Sequence, residues 1–237
     1  MKIAGSSRKD GMTLYGPHYK VNVTVPEPGA DPVVEVKKHH AGETVSKTKG
    51  IPVLRGMTSL ILNNGIMAIV LGMQLLIEVQ EARGKKHTLL SLASVGLSGY
   101  MAYSIAGNVQ ELRKFHGAEH KVIGNQDLGQ PNDLKHVREA SRISDRCGTN
   151  FIGFYIPAQL ISALLPIRSE TVKTLHGMGL AYEAFKLDRE KYGKYVGPFY
   201  KLGGLAQKYL TTAEPEEAHL KAAIAAMDAL LEAESGA

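Results

Sequence analysis

The chain has one cysteine, Cys147, in 237 residues. That excludes an internal disulfide framework and any multi-cysteine zinc or iron–sulfur cluster. Tryptophan is absent and aromatics make up 6% of the residues, too few for a base-stacking nucleic-acid platform. The opening residues, MKIAGSSRKDGM, lack the apolar core of a secretory signal. No phosphate-binding Walker loop, dinucleotide G-x-G-x-x-G or nucleophile elbow occurs. What remains is 44% hydrophobic and 22% charged, with a net charge of +5, which excludes wholesale disorder. The charge is mildly basic and suits an anionic surface as well as it suits a nucleic acid.

Two short runs near the start, Tyr19 to Val25 and Pro32 to Lys37, alternate polar and apolar residues around a Pro/Gly turn and predict a small β-hairpin. Three charge-free runs follow: 56–77 (22 residues), 88–110 (23) and 148–167 (20). A helix of about 20 apolar residues crosses a bilayer core. The expected fold class is therefore mainly α: a helical membrane protein with about three apolar helices, the hairpin and a C-terminal amphipathic helix. Asn63, Asn64, Gln74 and Pro157 interrupt these runs and would have to face protein or water. Lysine and arginine are more numerous in 37–55, on the N-terminal side of the first run (five), and in 111–147 (seven) than in the loop between the first two (three), which predicts a cytoplasmic N-terminus and 111–147 loop. Unusually apolar helices in the core of a soluble bundle are the competing reading.

The expected organisation is a hairpin region over 1–50, a helical core over 51–186 with a loop at 111–150, and a C-terminal part over 187–237. Thr171 to Phe185 reads as a short or partly buried helix, and Asp188 to Leu205, rich in Gly, Tyr and Lys, as a loop. Thr212 is a candidate cap for a final helix with Pro215 in its first turn. Leu220, Ile224, Met227 and Leu231 recur there at helical spacing.

The sharpest local pattern is FHGAEHK, residues 115–121. His116 and His120 stand four apart, so on a helix both imidazoles can address one ion. Glu119 completes H-x-x-E-H, the order found in inverted zinc peptidases, and can ligate or act as general base. Further ligands would come from Asp127, Cys147 or Glu183. Asp127 joins the stripe if the helix survives Gly124 and Asn125. Cys147 stands beside Arg146, which favours thiolate; the bland alternative is a small buried hydrophobe. Glu183 sits in an apolar segment and otherwise pairs with Lys186 or turns to water. For the histidine motif itself, the bland alternative is a solvated helix end with an internal Glu–His contact.

DGMTLYGPHYKVNV and PVLRG, then FHGAEHK, SRISDRCGTNF, GLAYE and LTTAEP with the alanine-rich helix after it, in that order from about Gly11 to Leu231, resemble the YqhQ-like family of bacterial membrane proteins. The resemblance implies a membrane location and a metal site around His116, Glu119 and His120, with Cys147 close by. It supplies no reaction, because the family's activity is itself only a metal-dependent enzyme expected in general terms. Two departures bear on the ligands: Ser144 and Asp145 stand where relatives carry His-Pro, and Asp127 where they carry glutamate. The expected function is a membrane-associated metal-dependent enzyme, hydrolytic in class, with a divalent cofactor such as zinc. A non-catalytic membrane scaffold and a soluble helical binding protein are the alternatives. The expected partners are membrane lipid and either another protein or a second copy, with no nucleic acid.

Overall fold

The computed structural model describes residues 1–27, 30–38, 78–79, 109–187 and 189–236. In chain order the elements are strands β1 (Ala4–Arg8), β2 (Gly11–Tyr15), β3 (Tyr19–Thr24) and β4 (Val33–Lys38), then helices α1 (Val109–Asp127) and α2 (Leu134–Glu139). A 3-10 turn (Gly148–Asn150) leads into α3 (Phe151–Ala163), followed by α4 (Glu170–Phe185) and α5 (Arg189–Ala206). A π-helical turn (Gln207–Thr211) and α6 (Glu217–Ser235) close the chain. The chain divides into two compact units. The first holds Met1–Ser46, Asn108–Cys147 and Gly204–Ala237; the second holds Lys47–Gly107 and Gly148–Gly203.

In the first unit the four strands form an antiparallel meander in the order β1-β2-β3-β4. Register places Ser7, Met12, Val23 and Val34 in one row and Gly5, Leu14, Val21 and Val36 in the next. Side chains alternate between faces, so both rows line one side. There Met12, Leu14, Val21 and Val23 are fully buried against α1 and α6. Each such side chain contributes about 1.5–3 kcal/mol of burial. Ala222, Ala223 and Ala226 let α6 approach closely, and Leu220, Met227 and Leu230 fill the space between. The opposite face is polar: Arg8 and Asn22 both hydrogen-bond to Thr13, and Asn22 reaches Glu35.

The expected hairpin is present as β3 and β4, but β1 and β2 extend it to four strands. Their residues, rich in Gly, Ser and Thr, carry little β-branched apolar signal, and pairing of β2 with β3 and of β1 with β2 decides their conformation. The final helix starts at Glu217, with Leu220 and Met227 buried and Ile224 and Leu231 packed at the margin. Thr212 does not cap it. Its hydroxyl donates to the Gln207 carbonyl and accepts from Arg142.

In the second unit, α3 and α4 pack together along Phe154, Ala158 and Ala181, with Val196 of α5 joining the core. Phe154 stacks on Phe185, Phe199 and Tyr200. Ser162, in the last turn of apolar α3, donates to the Ala158 carbonyl and meets His176 Nδ1 at 2.8 Å. Ser169 caps α4, and Glu78 accepts from the Ser169 hydroxyl and the Thr171 amide. The segment read as a loop from Asp188 is helical from Arg189 despite its glycines and Pro198. Tyr192, Val196, Phe199 and Tyr200 recur on one face of α5 and dock on the aromatic cluster, which outweighs weak local propensity.

The membrane reading is corrected. Among the described residues no helix is long and apolar enough to cross a membrane. The run 148–167 is divided into a 3-10 turn, the 13-residue α3 and a non-helical exit, so only part of it is continuous helix. The run 56–77 lies outside the described residues, as does 88–110 except for Val109 and Gln110, where α1 begins. The cytoplasmic assignment of the N-terminus and the 111–147 loop falls with the spans. The cations that suggested it have local work instead: Arg113, Lys121 and Arg142 donate to backbone carbonyls of the first unit.

One carboxylate ties the end of α6 to the sheet. Glu234 accepts from the His18 and Tyr19 amides at 2.8 Å and from the His18 ring at 2.9 Å. Burial alone would raise its pKa, but these donors outweigh burial and hold it below the ordinary glutamate value. A lowered carboxylate stabilises the fold above the unfolded pKa and loses that contribution as pH falls through the folded one. Glu234→Ala is therefore expected to cost about 1–2 kcal/mol in urea unfolding at neutral pH. The difference from wild type should shrink as pH falls below about 4.5.

Candidate metal centre

Helix α1 is enclosed on nearly every side. Phe115, Ala118 and Val122 face the core, and His120, Lys121, Ile123 and Asn125 are also buried. Its inner face lies on β1, where Ser7 donates to the Glu119 carboxylate. A side chain at position 5 would collide with that carboxylate, at 2.3 Å from Oε1, so Gly5 makes the room. Burial pushes the Glu119 carboxyl above its ordinary pKa, and Ser7 and nearby His116 only partly offset this.

The other side of α1 is wrapped by two irregular segments, 138–147 and 207–216. Gly117 permits the second to come close: a Cβ there would stand 2.2 Å from the Ala213 carbonyl oxygen. The Ala213 amide in turn donates to the Arg113 carbonyl at 2.9 Å. Three buried or half-buried cations fix the wrapping. Lys121 donates to the carbonyls of Arg138 (2.7 Å) and Ala140 (2.9 Å) and pairs with Glu214 (2.9 Å), which uses all three ammonium protons. Arg142 donates to the Thr212 hydroxyl and to the carbonyls of Thr212 and Lys208. Arg113 donates to the carbonyls of Tyr209 and Thr212. The fully buried Gln207 amide joins the segments, accepting from the Ser144 amide at 2.8 Å and donating to the Ser144 carbonyl at 2.9 Å.

The consequence falls on the two histidines. His116 Nδ1 lies 2.9 Å from the Thr211 carbonyl oxygen, and His120 Nδ1 lies 2.7 Å from that of Arg142. A carbonyl only accepts, so each Nδ1 carries a proton and each Nε2 of a neutral ring keeps its lone pair. The rings stand 4.4 Å apart between centroids. Cys147 Sγ approaches His116 Nε2 at 3.4 Å. Ligand atoms of His116, His120 and Cys147 all lie within 4.8 Å of one another.

This donor set fits a divalent metal of borderline softness. Zinc binds imidazole nitrogen at about 2.0–2.1 Å and thiolate sulfur at about 2.3 Å, so its donors sit roughly 3.3–3.8 Å apart. The His116–Cys147 pair is already at that separation. Carbonyl partners on the remote imidazole nitrogens are the usual outer support of a ligating histidine.

Within the first unit, two of the other candidate ligands face different partners. Glu119 is outside the trio and turned toward Ser7 and Gly5. Helix α1 does run through Gly124 and Asn125 to Asp127, but that carboxylate is exposed and paired with Arg146. Glu183 belongs to α4 of the second unit. Beside the trio, a cleft of about 250 Å³ opens along His120, Gly124, Asp127, Ile143, Ser144 and Arg146. Sequence reasoning missed the carbonyls of Thr211 and Arg142 and the clamps Lys121 and Gln207, and it read Arg146 only as a neighbour of the thiol. The motifs SRISDRC and LTTAEP pointed to the right segments, but a backbone acceptor leaves no mark in residue identity.

A family model described as a protein of unknown function (DUF1385) matches residues 94–233. Uncharacterized protein YqhQ from Bacillus subtilis (strain 168) is 28% identical over 150 residues, covering 59% of this chain and 46% of that protein. The chain thus spans about half the length of the curated relative it matches. No solved structure matches.

Two measurements check the wrapping. Long-range proton–nitrogen NMR at neutral pH is expected to show both His116 and His120 protonated at Nδ1; a proton on Nε2 alone in either ring contradicts the arrangement. Gly117→Ala should displace the Ala213 segment, cost about 1–3 kcal/mol in unfolding experiments, and disturb the His116 tautomer.

Proposed function

We propose that this chain, which belongs to the DUF1385 family of proteins of unknown function, is a metal-dependent enzyme of hydrolytic class with its centre at His116, His120 and Cys147. One observation carries the reading: both Nδ1 atoms face backbone carbonyls, which leaves both Nε2 atoms available to an ion shared with Cys147 Sγ. Three protein ligands leave a fourth position for water or substrate, the pattern of catalytic rather than closed structural zinc sites. Zinc, when bound, supplies Lewis-acid polarisation and a water that ionises near neutral pH.

The protein's own residues do the rest. The Thr211 and Arg142 carbonyls orient the imidazoles. Lys121 and Arg142 hold the segments that carry those carbonyls, so ring orientation is set before any ion arrives. Glu119 stays out of the trio, since Ser7 and Gly5 place its carboxylate against β1. The cleft beside His120 is where a substrate reaches the fourth position.

Zinc titration in competition with a chromophoric chelator tests the centre. Wild type is expected to take up one ion per chain. His116→Ala and His120→Ala should each lower affinity at least a hundredfold, and Cys147→Ser at least tenfold. Cobalt substitution should give a thiolate charge-transfer band that Cys147→Ser abolishes. Zinc-loaded wild type, and not His120→Ala, should turn over chromogenic esters or amides. Equal, substoichiometric metal in wild type and both histidine variants would end the proposal.

A further inference from the structure

We propose that the cleft beside His120 takes a small substrate bearing one carboxylate, which Arg146 grips at the end remote from the metal. The inference deepens the reading above, resting on it for the assignment of the His120 end as the reacting end. Along α1, His120, Gly124 and Asp127 lie on one stripe and form one wall of the cleft. A Cβ at Gly124 would meet nothing within 4 Å, so the middle of that wall is open backbone. Ala140 and Ile143 give the opposite side an apolar character. From His120 to Asp127 is seven residues of helix, about 10 Å. Two or three extended residues of a short peptide or acylated amino acid span that length.

The far end is closed by the Arg146 guanidinium. Its Nη2 reaches Asp127 Oδ2. Among the described residues its Nη1 and Nε atoms carry no hydrogen bond, so donors remain for a ligand. The side chain is 48% exposed, and it precedes Cys147 in the chain. A planar fork with spare donors matches a carboxylate better than a point charge would. A dianionic phosphate fits less well, because Asp127 and Asp145 stand on the same rim and repel a second negative charge. The arrangement therefore assigns the substrate a single carboxylate about 10 Å from its reacting carbonyl.

Saturation-transfer NMR on the zinc-loaded full chain tests this with N-acetyl-glycylglycine, its C-terminal amide and inorganic phosphate as probes. The acid is expected to bind at least tenfold tighter than the amide, with phosphate weaker than the acid. Arg146→Gln should erase the preference for the acid on the zinc-free chain as well as on the zinc-loaded one, so that a change in zinc affinity at neighbouring Cys147 does not enter the comparison. Arg146→Lys, which keeps the charge and loses the fork, should retain only part of it. Equal binding of acid and amide, a preference that survives Arg146→Gln, or phosphate binding as tight as the acid would each overturn the inference. Should the wild-type chain take up no zinc, the metal reading fails by itself, and the acid-against-amide comparison on the metal-free chain still decides the role of Arg146.

Discussion

Two hydrogen bonds organise the first unit around its chemistry: His116 Nδ1 to the Thr211 carbonyl and His120 Nδ1 to the Arg142 carbonyl. Each joins a helix side chain to the backbone of an irregular segment, over 95 and 22 residues of chain respectively. A backbone carbonyl cannot change its role, so it fixes a tautomer more firmly than a titratable side chain would. Irregular backbone, however, brings unpaired polar groups with it, and burying those is costly. The cations answer this cost. Lys121, Arg142 and Arg113 saturate the carbonyls that neither helix nor sheet can satisfy. The basic character of residues 111–147 is thus largely an internal device of the fold.

That device also explains why the membrane reading attracted the wrong evidence. Counting Lys and Arg along a chain treats each as a solvated charge beside a span. Here Lys121 is only 4% exposed and fully engaged, so it reports nothing about a bilayer. The run 148–167 misled in a similar way. Absence of charge measures apolarity but not helix continuity, and the 3-10 turn at Gly148–Asn150 and the end of α3 at Ala163 break it.

Other parts of the structure were legible because their physics is local. The alternation of β3 and β4 and the 3.6-residue spacing of α6 are written in consecutive residues. So was the pairing of His116 with His120, since one helical turn fixes it. Cys147 was legible only as a candidate, because 31 residues separate it from His116 and the fold alone closes that distance. The fate of Glu119 was not legible. At i+3 from His116 it shares a flank with the histidine, yet Gly5 and Ser7 from the start of the chain draw it to the sheet. Helix α5 escaped notice because its glycines and Pro198 lower local propensity while its aromatic packing partners lie on α3 and α4.

The two glycines of α1 lie two turns apart on one stripe, one closed by packing and the other facing open space. Gly117 is occupied: the Ala213 carbonyl stands where its side chain would be, and that approach brings Thr211 within reach of His116. Gly124 is open: nothing fills the space above it, and the cleft runs there from His120 toward Arg146. Seven residues apart, they carry opposite demands. A side chain at 117 would push away the segment that orients His116. A side chain at 124 would leave the imidazoles in place and obstruct only the path beside them. Orientation of the histidines and access to the cleft are therefore separate properties of one helix, and each can change without the other.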